Sequence, residues 1–577
     1  EVAQKGTGVI AQFSQEEFKE FFSESVEKNI NVSVLYEEGN IPVHLLAERQ
    51  NITLAELIFS RFSDIHQDWI VQGQPLFIRH GGKVVDKLLF EQDQQWRLHI
   101  DITAILLADS LGILEHVQSL FAPLHIPLET IPTLIEMSGN VSPHQPSQID
   151  IAKQISELVN RGILKLVNLA PTSIDTHVHN VSDPLEVERR AFACFMQGRD
   201  GYILDFLSHL NTWGKHSPDI EFDLVSARNI ADALLEYGKL SELEHRKIVL
   251  DLGIEGVVQE RTLLPEPGAS IYCFANIIST LSGAGLLGLA CKQFDLYTPK
   301  SYYERVVGQN IYYEKRKSLS ERIDKLREKL RDGLEKRKYE IIPSPLSLGE
   351  LEDKQLYGLH AIFSFPREEN DLIWVDDRYL NGFSNRDGIP IIAISEILSL
   401  LLKNNKISKE KYFSSLHKMR TLNLRYLPLE VDEVVYFLKQ AEVREEEIAE
   451  TKELLILKQY FAKAFLDGHL LQKPPLPEGC SNPLGELSFV FQFSSIVGDV
   501  IEEIWSLPDF DTEIKQIYCD WIVENLFISP LGLSETVGNE TNLDAEINLA
   551  ALSLATLVIR SITIKGEPEK STIALRK

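Results

Sequence analysis

The sequence predicts an α/β protein in which two tandem parallel-sheet domains stand between helical N- and C-terminal regions. Three observations carry this reading: short apolar runs alternate with helical periodicity from about residue 95 to residue 440, two stretches of the chain match each other in order, and both flanks show helical spacing alone.

The match has three landmarks. His99-Ile-Asp-Ile-Thr-Ala-Ile-Leu-Leu-Ala-Asp109 runs into Gly112-Ile-Leu114, and Tyr272-Cys-Phe-Ala-Asn-Ile-Ile-Ser-Thr-Leu-Ser282 runs into Gly285-Leu-Leu287, 173 residues later. Asp200-Gly-Tyr-Ile-Leu-Asp-Phe206 then corresponds to Asp377-Arg-Tyr-Leu-Asn-Gly-Phe383, 177 residues later. Tyr237-Gly-Lys-Leu-Ser241 and Asn404-Asn-Lys-Ile-Ser408 close the apolar stretches that follow. So long a period implies duplicated domains, because solenoid units recur every 20–50 residues or so. A chain of 577 residues also exceeds a single hydrophobic core.

Taken in order, residues 1–75 read as helical, with apolar spacing at Phe18, Phe21 and Phe22 and again at Leu54, Leu57, Ile58 and Phe62. They read as helix hairpins or as the tail of a helical repeat array, and a first residue other than Met points to a natural N-terminus upstream. Domain one is expected over 76–255, opening with short strands around Gly81-Gly82, and domain two over 256–440. Each is expected to hold an apolar strand, an apolar helix, a second strand ending at proline (Leu124–Pro127, Asp295–Pro299), and later strand-turn-helix units.

Domain two also carries a charged helix over 314–338, with Leu319, Ile323, Leu326, Leu330 and Leu334 forming an apolar seam. Its lysines and arginines, including Lys325, Lys329 and Lys336, read either as a solvated face laced by i,i+4 pairs or as a local basic stripe for RNA, DNA or an acidic partner. Residues 441–577 read as a helical domain, with helices expected over Val443–Phe465, Leu487–Ile504, Thr512–Phe527 and Asp544–Ile562.

Composition narrows the function classes. A 44% apolar and 25% charged chain is ordinary for a soluble globular protein, and a net charge of −27 argues against a broad electrostatic grip on nucleic acid. Five scattered cysteines without a Cys-x-x-Cys pair suggest reduced thiols in a cytoplasmic protein. Residues 271–290 are uncharged over nearly a bilayer's length, but their polar residues and glycines, and the acids in the matching stretch 99–118, favour a buried strand and helix over a membrane span.

The strongest chemical signal is Leu372-Ile-Trp-Val-Asp-Asp-Arg-Tyr-Leu380 followed by Gly388-Ile-Pro-Ile-Ile-Ala-Ile394. An apolar strand ending in paired acids places them at the carboxyl edge of a parallel sheet, where open α/β folds bind ligands. Asp376-Asp377-Arg378, Gly388-Ile389, the helix Ile397–Leu401 and the turn Asn405–Ser408 resemble the PIN-domain nucleases, compact Rossmann-like ribonucleases. The resemblance covers roughly residues 95–440 and implies two tandem PIN-like domains. It also implies converging carboxylates that hold Mg²⁺ or Mn²⁺, with the ions activating water for phosphodiester cleavage.

Carried over residue by residue, the resemblance makes Asp376, Asp377, Glu304 and Asp353 the candidate catalytic acids of copy two, with Asp376, Asp377 and Glu304 as metal ligands. Copy one offers Asp101 at the end of its first strand and Asp200 later, with Glu129 or Glu136 as the helix acid. Neither copy is complete: Phe274 stands opposite Asp101, and Arg199 opposite Asp376. Paired aspartates at a strand end also serve as turn formers and helix caps, so the alternative to a divalent-metal-dependent nuclease is a non-catalytic scaffold or regulatory module that binds a protein partner. Ile174-Asp-Thr-His-Val-His179 resembles the zinc signature of amidohydrolase barrels, but no eightfold strand-helix series follows it. No P-loop or Gly-x-Ser-x-Gly elbow is present.

Overall fold

The computed structural model describes residues 32–63, 70–71, 73–79, 96–142, 146–169, 191–206, 223–252, 263–274, 277–343, 355–382, 385–467 and 487–526. After a helical turn over 32–37 come α1 (Val43–Arg49), α2 (Leu54–Ser63) and β1 (Leu76–Phe77). A first run follows: β2 (Arg97–Ile100), α3 (Ile102–Leu111), α4 (Leu114–Phe121), β3 (Leu124–Pro127), α5 (Thr130–Val141), α6 (Pro146–Asn160), β4 (Lys165–Val167), β5 (Tyr202–Leu204), β6 (Asp223–Val225), α7 (Ala227–Glu236) and α8 (Glu242–Asp251). The second run is β7 (Ser270–Cys273), α9 (Ile277–Gly283), α10 (Leu287–Gln293), β8 (Asp295–Pro299), α11 (Lys300–Glu335), β9 (Tyr339–Ile342), α12 (Gln355–Ser364), β10 (Asp371–Trp374), β11 (Asn385–Arg386), β12 (Ile389–Ile392), α13 (Ile394–Lys403) and α14 (Lys409–Thr421). The chain continues through β13 (Leu424–Arg425), α15 (Val431–Gln440), β14 (Glu442–Arg444), β15 (Glu447–Ala449), α16 (Lys452–Leu466), α17 (Leu487–Ser506) and α18 (Thr512–Asn525).

The two runs agree in detail. Gly112 and Gly285, at φ +65° and +72°, end the first helix of each run in the left-handed conformation. Gly238 and Asn405, at +65° and +52°, do the same before the last helix, which Ser241 and Ser408 cap by accepting from Glu244 N and Lys411 N. The chain is therefore an α/β protein with dominantly parallel sheets.

The sheets do not follow the expected division at 255/256. The chain forms two compact units, unit 1 of residues 1–141 and 321–577 and unit 2 of residues 142–320. The sheet of unit 1 runs β11-β12-β10-β2-β3-β9, and that of unit 2 runs β4-β8-β7-β5-β6, with only β11 antiparallel. Each sheet thus takes its first two strands from one run and the rest from the other: β2 and β3 lie with β9, β10 and β12, while β7 and β8 lie with β4, β5 and β6. The tandem boundaries 76–255 and 256–440 are corrected accordingly. Counted from β2 and from β7, both sheets have the order 3-2-1-4-5, so either unit can accept the strands of either run and local sequence does not decide between them.

The return to unit 1 is made inside α11, whose 36 residues at about 1.5 Å rise make a rod of roughly 54 Å. Its seam residues Ile323, Leu326 and Leu330 are fully buried. Near its end Gly333 lies so close to Tyr339 that an added Cβ would stand 2.3 Å from the ring.

Around the sheet of unit 1, α16 packs on α14, and α17 on α15 and α18. A buried pair ties α14 to α15, with Arg420 Nη2 donating to Glu433 Oε2 at 2.8 Å. The helix expected over Val443–Phe465 is instead the β14–β15 hairpin followed by α16. Glu445 and Glu446 turn it at φ +49° and +65°, a geometry that no Asn-Gly pair announces. Residues 271–290 form β7, α9 and most of α10, with Ile271, Cys273, Ile278, Leu281 and Leu287 in the core. No single helix among the described residues is long and apolar enough to cross a membrane, and the apolar pair α3 and α4 is bent by 116°. Cys194, Cys273, Cys291 and Cys519 are free thiols. Of the strands expected around Gly81-Gly82, the first is β1 and the one expected after the turn lies outside the described residues, as do the His177/His179 motif, Cys480 and the helix expected over 544–562.

The two ends of unit 2 meet, with Ser142 Oγ and Ser320 Oγ 2.9 Å apart. Replacing 142–320 by a short Gly-Ser linker should therefore leave unit 1 folded, as a domain insertion permits. Cooperative thermal unfolding of the shortened chain, followed by circular dichroism, checks this; a product without a cooperative transition would refute it.

Candidate functional site

In a sheet of order 3-2-1-4-5 the crevice opens beyond the carboxyl ends of strands 1 and 4, here β2 and β10. Asp101 directly follows β2, and Asp376 and Asp377 follow β10, so the acid from the first run and the acid pair from the second share one edge. All three are buried, with exposures of 1%, 7% and 1%.

Each carboxylate receives the start of a helix. Asp101 is the N-cap of α3: its Oδ1 accepts from Ala104 N at 3.0 Å and from the Thr103 hydroxyl at 2.8 Å. Thr103 Oγ1 in turn accepts from Asp376 N at 3.0 Å, which joins the two strand ends. Asp376 Oδ1 accepts from Ile394 N at the start of α13 at 2.7 Å, and its Oδ2 from Trp374 Nε1 at 2.8 Å. Asp377 Oδ2 accepts from Val43 N at the start of α1 at 2.5 Å, and its Oδ1 from Tyr379 N at 2.8 Å. Beside them Glu396 accepts from Ala393 N at 2.9 Å and pairs with buried Arg79 at 2.7 Å.

Burial opposes ionisation at this edge. Loss of solvent, only partly offset by Ala104 N–H and Thr103, pushes the Asp101 carboxyl up to about 6. Asp377 is pushed up to about 7 by the same loss of solvent, against the Val43 and Tyr379 N–H groups and with help from the charge of Asp101. Burial, with the Asp101 and Glu396 charges adding to it, also places Asp376 well above the usual carboxylate range.

Asp101, Glu129 and Asp377 line one pocket together with His44, Thr103, Thr130, Thr133 and Met137, around about 460 Å³ of space that includes open solvent. Glu129 Oε2 is buried there without a hydrogen bond among the described residues.

Other candidates lie elsewhere. Glu304 is exposed on the part of α11 that belongs to unit 2 and pairs with Lys300, whereas Asp376 and Asp377 belong to unit 1. Asp353 lies outside the described residues. Asp200 is exposed in unit 2 and precedes β5, whereas Asp377 follows β10, so the second sequence landmark is out of register with the fold. The backbone gives the true equivalence: Asp205 N donates to Val225 O as Val375 N does to Ile392 O. Phe274 does stand where Asp101 stands, since Phe274 N donates to Leu204 O and Asp101 N to Trp374 O. In unit 2 that position is apolar, with the Phe192 ring edge-on at 5.6 Å. Glu136 is exposed on α5. Of the basic residues, Lys329 pairs with Asp109 at 2.9 Å and Lys336 with Asp332 at 2.8 Å, while Lys325 is exposed.

The sequence reading missed Val43, His44 and Glu396. Glu396 was legible as the third residue of a helix start, but nothing in a sequence marks a backbone N–H as the partner of Asp377. Among the described residues no three His, Cys, Asp or Glu side chains come together as a metal site, and each oxygen of Asp376 and of Asp377 already accepts one N–H. Comparison of the chain with protein-family models, curated proteins and solved structures finds no match.

Because the folded pKa values of Asp101 and Asp377 exceed the ordinary carboxylate value of about 3.9, the folded chain binds more protons than the unfolded chain between about pH 4 and pH 7. Their contribution to stability is therefore present in acid and is lost as pH rises through that window. Asp377→Asn, which carries no charge, should gain melting temperature relative to the wild type between about pH 5 and pH 8, by a few degrees. A difference in melting temperature that does not change with pH would refute the assignment.

Proposed function

We propose that this chain is a PIN-like protein whose acid edge is non-catalytic in the arrangement described, and that it acts as a scaffold or regulatory module for a protein partner. The PIN-like reading draws support from the 3-2-1-4-5 order of both sheets and from acids at the strand ends where such an order binds ligands. One observation carries the non-catalytic reading: Asp101, Asp376 and Asp377 each spend oxygens on the N–H groups of a helix start, which is the work of caps. Phe274 removes the corresponding acid from unit 2.

The second reading is a nuclease dependent on Mg²⁺ or Mn²⁺ and centred on unit 1. It is favoured by the single pocket that Asp101, Glu129 and Asp377 share and by the unpartnered Glu129 Oε2. A nucleic-acid role for α11 has less support, because Lys329 and Lys336 already have acidic partners.

Wild-type chain and Asp377→Asn, assayed with Mn²⁺ on single-stranded RNA and DNA, separate the two readings. The scaffold reading expects no cleavage above background in either protein. Metal-dependent cleavage by the wild type that Asp377→Asn abolishes would overturn it and assign the nuclease.

A further inference from the structure

We infer that residues 32–50 are a strap that closes the acid edge of unit 1, with the backbone N–H of Val43 standing where a cation would neutralise Asp377. This rests on the scaffold reading and names what keeps that edge from taking a divalent ion.

The strap is seated by the residues of the Asp377-Arg378 motif itself. Val43 N donates to Asp377 Oδ2 at 2.5 Å. The Arg378 guanidinium donates to the carbonyl of Glu37, and it lies 5.0 Å over the Phe77 ring and 5.4 Å over the Tyr426 ring. The strap's turn passes directly against that guanidinium: Gly39, at φ +78°, would bring a Cβ to 3.1 Å from Arg378 Nε. Tyr36 closes the contact, its hydroxyl accepting from Phe77 N at 3.0 Å while Arg378 N donates to Phe77 O at 3.0 Å. His44, the residue after Val43, is 5% exposed and forms part of the wall of the pocket that Asp101, Glu129 and Asp377 line.

Apolar burial and polar fit have separate roles in this seat. Tyr36, Val43, Leu46 and Ala47 are almost fully buried and hold the strap down. The N–H of Val43 decides what Asp377 meets. Loss of that donor therefore changes the electrostatics of the edge, and Tyr36, Leu46 and Ala47 remain as the apolar seat.

Val43→Pro removes this donor and sets its ring Cδ against Asp377 Oδ2, so the strap has to part from the carboxylate there, while Val43→Ala controls for the lost side chain. Val43 is the first residue of α1, where proline is tolerated because its missing N–H takes part in no intrahelical bond. Pro42 is already extended, at φ −74° and ψ 157°, as the residue before a proline must be. Binding of Mn²⁺ to the full chain is measured by electron paramagnetic resonance for the wild type, Val43→Ala and Val43→Pro. We expect Val43→Pro to bind Mn²⁺ at least tenfold more tightly than the other two, with the gain lost when Asp377→Ala is added. Equal affinity in all three, with the melting temperature retained, overturns the strap.

If Val43→Pro does not fold, hydrogen exchange in Asp377→Ala decides: amides 44–50 should exchange at least tenfold faster than in the wild type, and an unchanged rate overturns the inference. The two readings fail separately. Cleavage by the wild type with Mn²⁺ sinks the scaffold, whereas Mn²⁺ affinity that does not respond to Val43→Pro sinks the strap.

Discussion

Three carboxylates share a water-poor edge of one sheet, and unit 1 is arranged around keeping them from repelling one another. Like charges interact more strongly as water leaves, and an ionised group without a partner is costly to bury. The fold's answer is backbone: the starts of α3, α13 and α1 each send an N–H to one acid, and Thr103 both donates to Asp101 and accepts from Asp376. Three helices therefore have fixed origins, and the strand ends of β2 and β10 are bound to each other through a hydroxyl. The acids that resemble a catalytic constellation in sequence also fasten three helix starts in the described arrangement.

At the position of Asp101, unit 2 carries no charge. Phe274 takes the place of Asp101 and packs against Phe192, while Tyr272 stacks on Tyr297 at 4.7 Å. An aromatic ring needs no donor, so nothing comparable to the N-terminal strap is required to satisfy that position. Both units keep the strand order 3-2-1-4-5, and both bury an acid after the strand next to the first, Asp205 in unit 2 and Asp376 and Asp377 in unit 1, but only unit 1 adds Asp101 to it.

Much of this was legible in the sequence. The apolar runs located β2, β3, β7, β8, β10 and β12, the repeat landmarks at Gly112, Gly285, Ser241 and Ser408 fell at element boundaries, and the equivalence of Phe274 with Asp101 followed from ungapped spacing. The partnering of strands was not legible, because two runs with the same pattern offer the same edges and local sequence cannot choose between them. The pairing of β2 with β10 therefore emerges only in three dimensions, and with it the union of Asp101 with Asp376 and Asp377, which the sequence reading had assigned to different domains. The match of Asp200 with Asp377 misled for a related reason. Similar side chains flank an apolar core in both segments, yet one acid precedes its strand and the other follows it. The partner of Asp377 was beyond reach altogether, since a backbone N–H belongs to every residue but proline.

The fastening is also incomplete, and that incompleteness gives the edge its character. A helix start presents a partial charge of roughly half a proton, so three starts do not balance three full carboxylates. Burial, which these N–H groups offset only in part, holds Asp101 up at about 6 and Asp377 up at about 7. A proton supplies the missing charge in mildly acidic conditions and is progressively lost towards alkaline pH. The edge is therefore held in a state that is neither fully ionised nor fully capped. Its demand is for positive charge, and at Asp377 Oδ2 the donor that stands against that demand is the N–H of Val43.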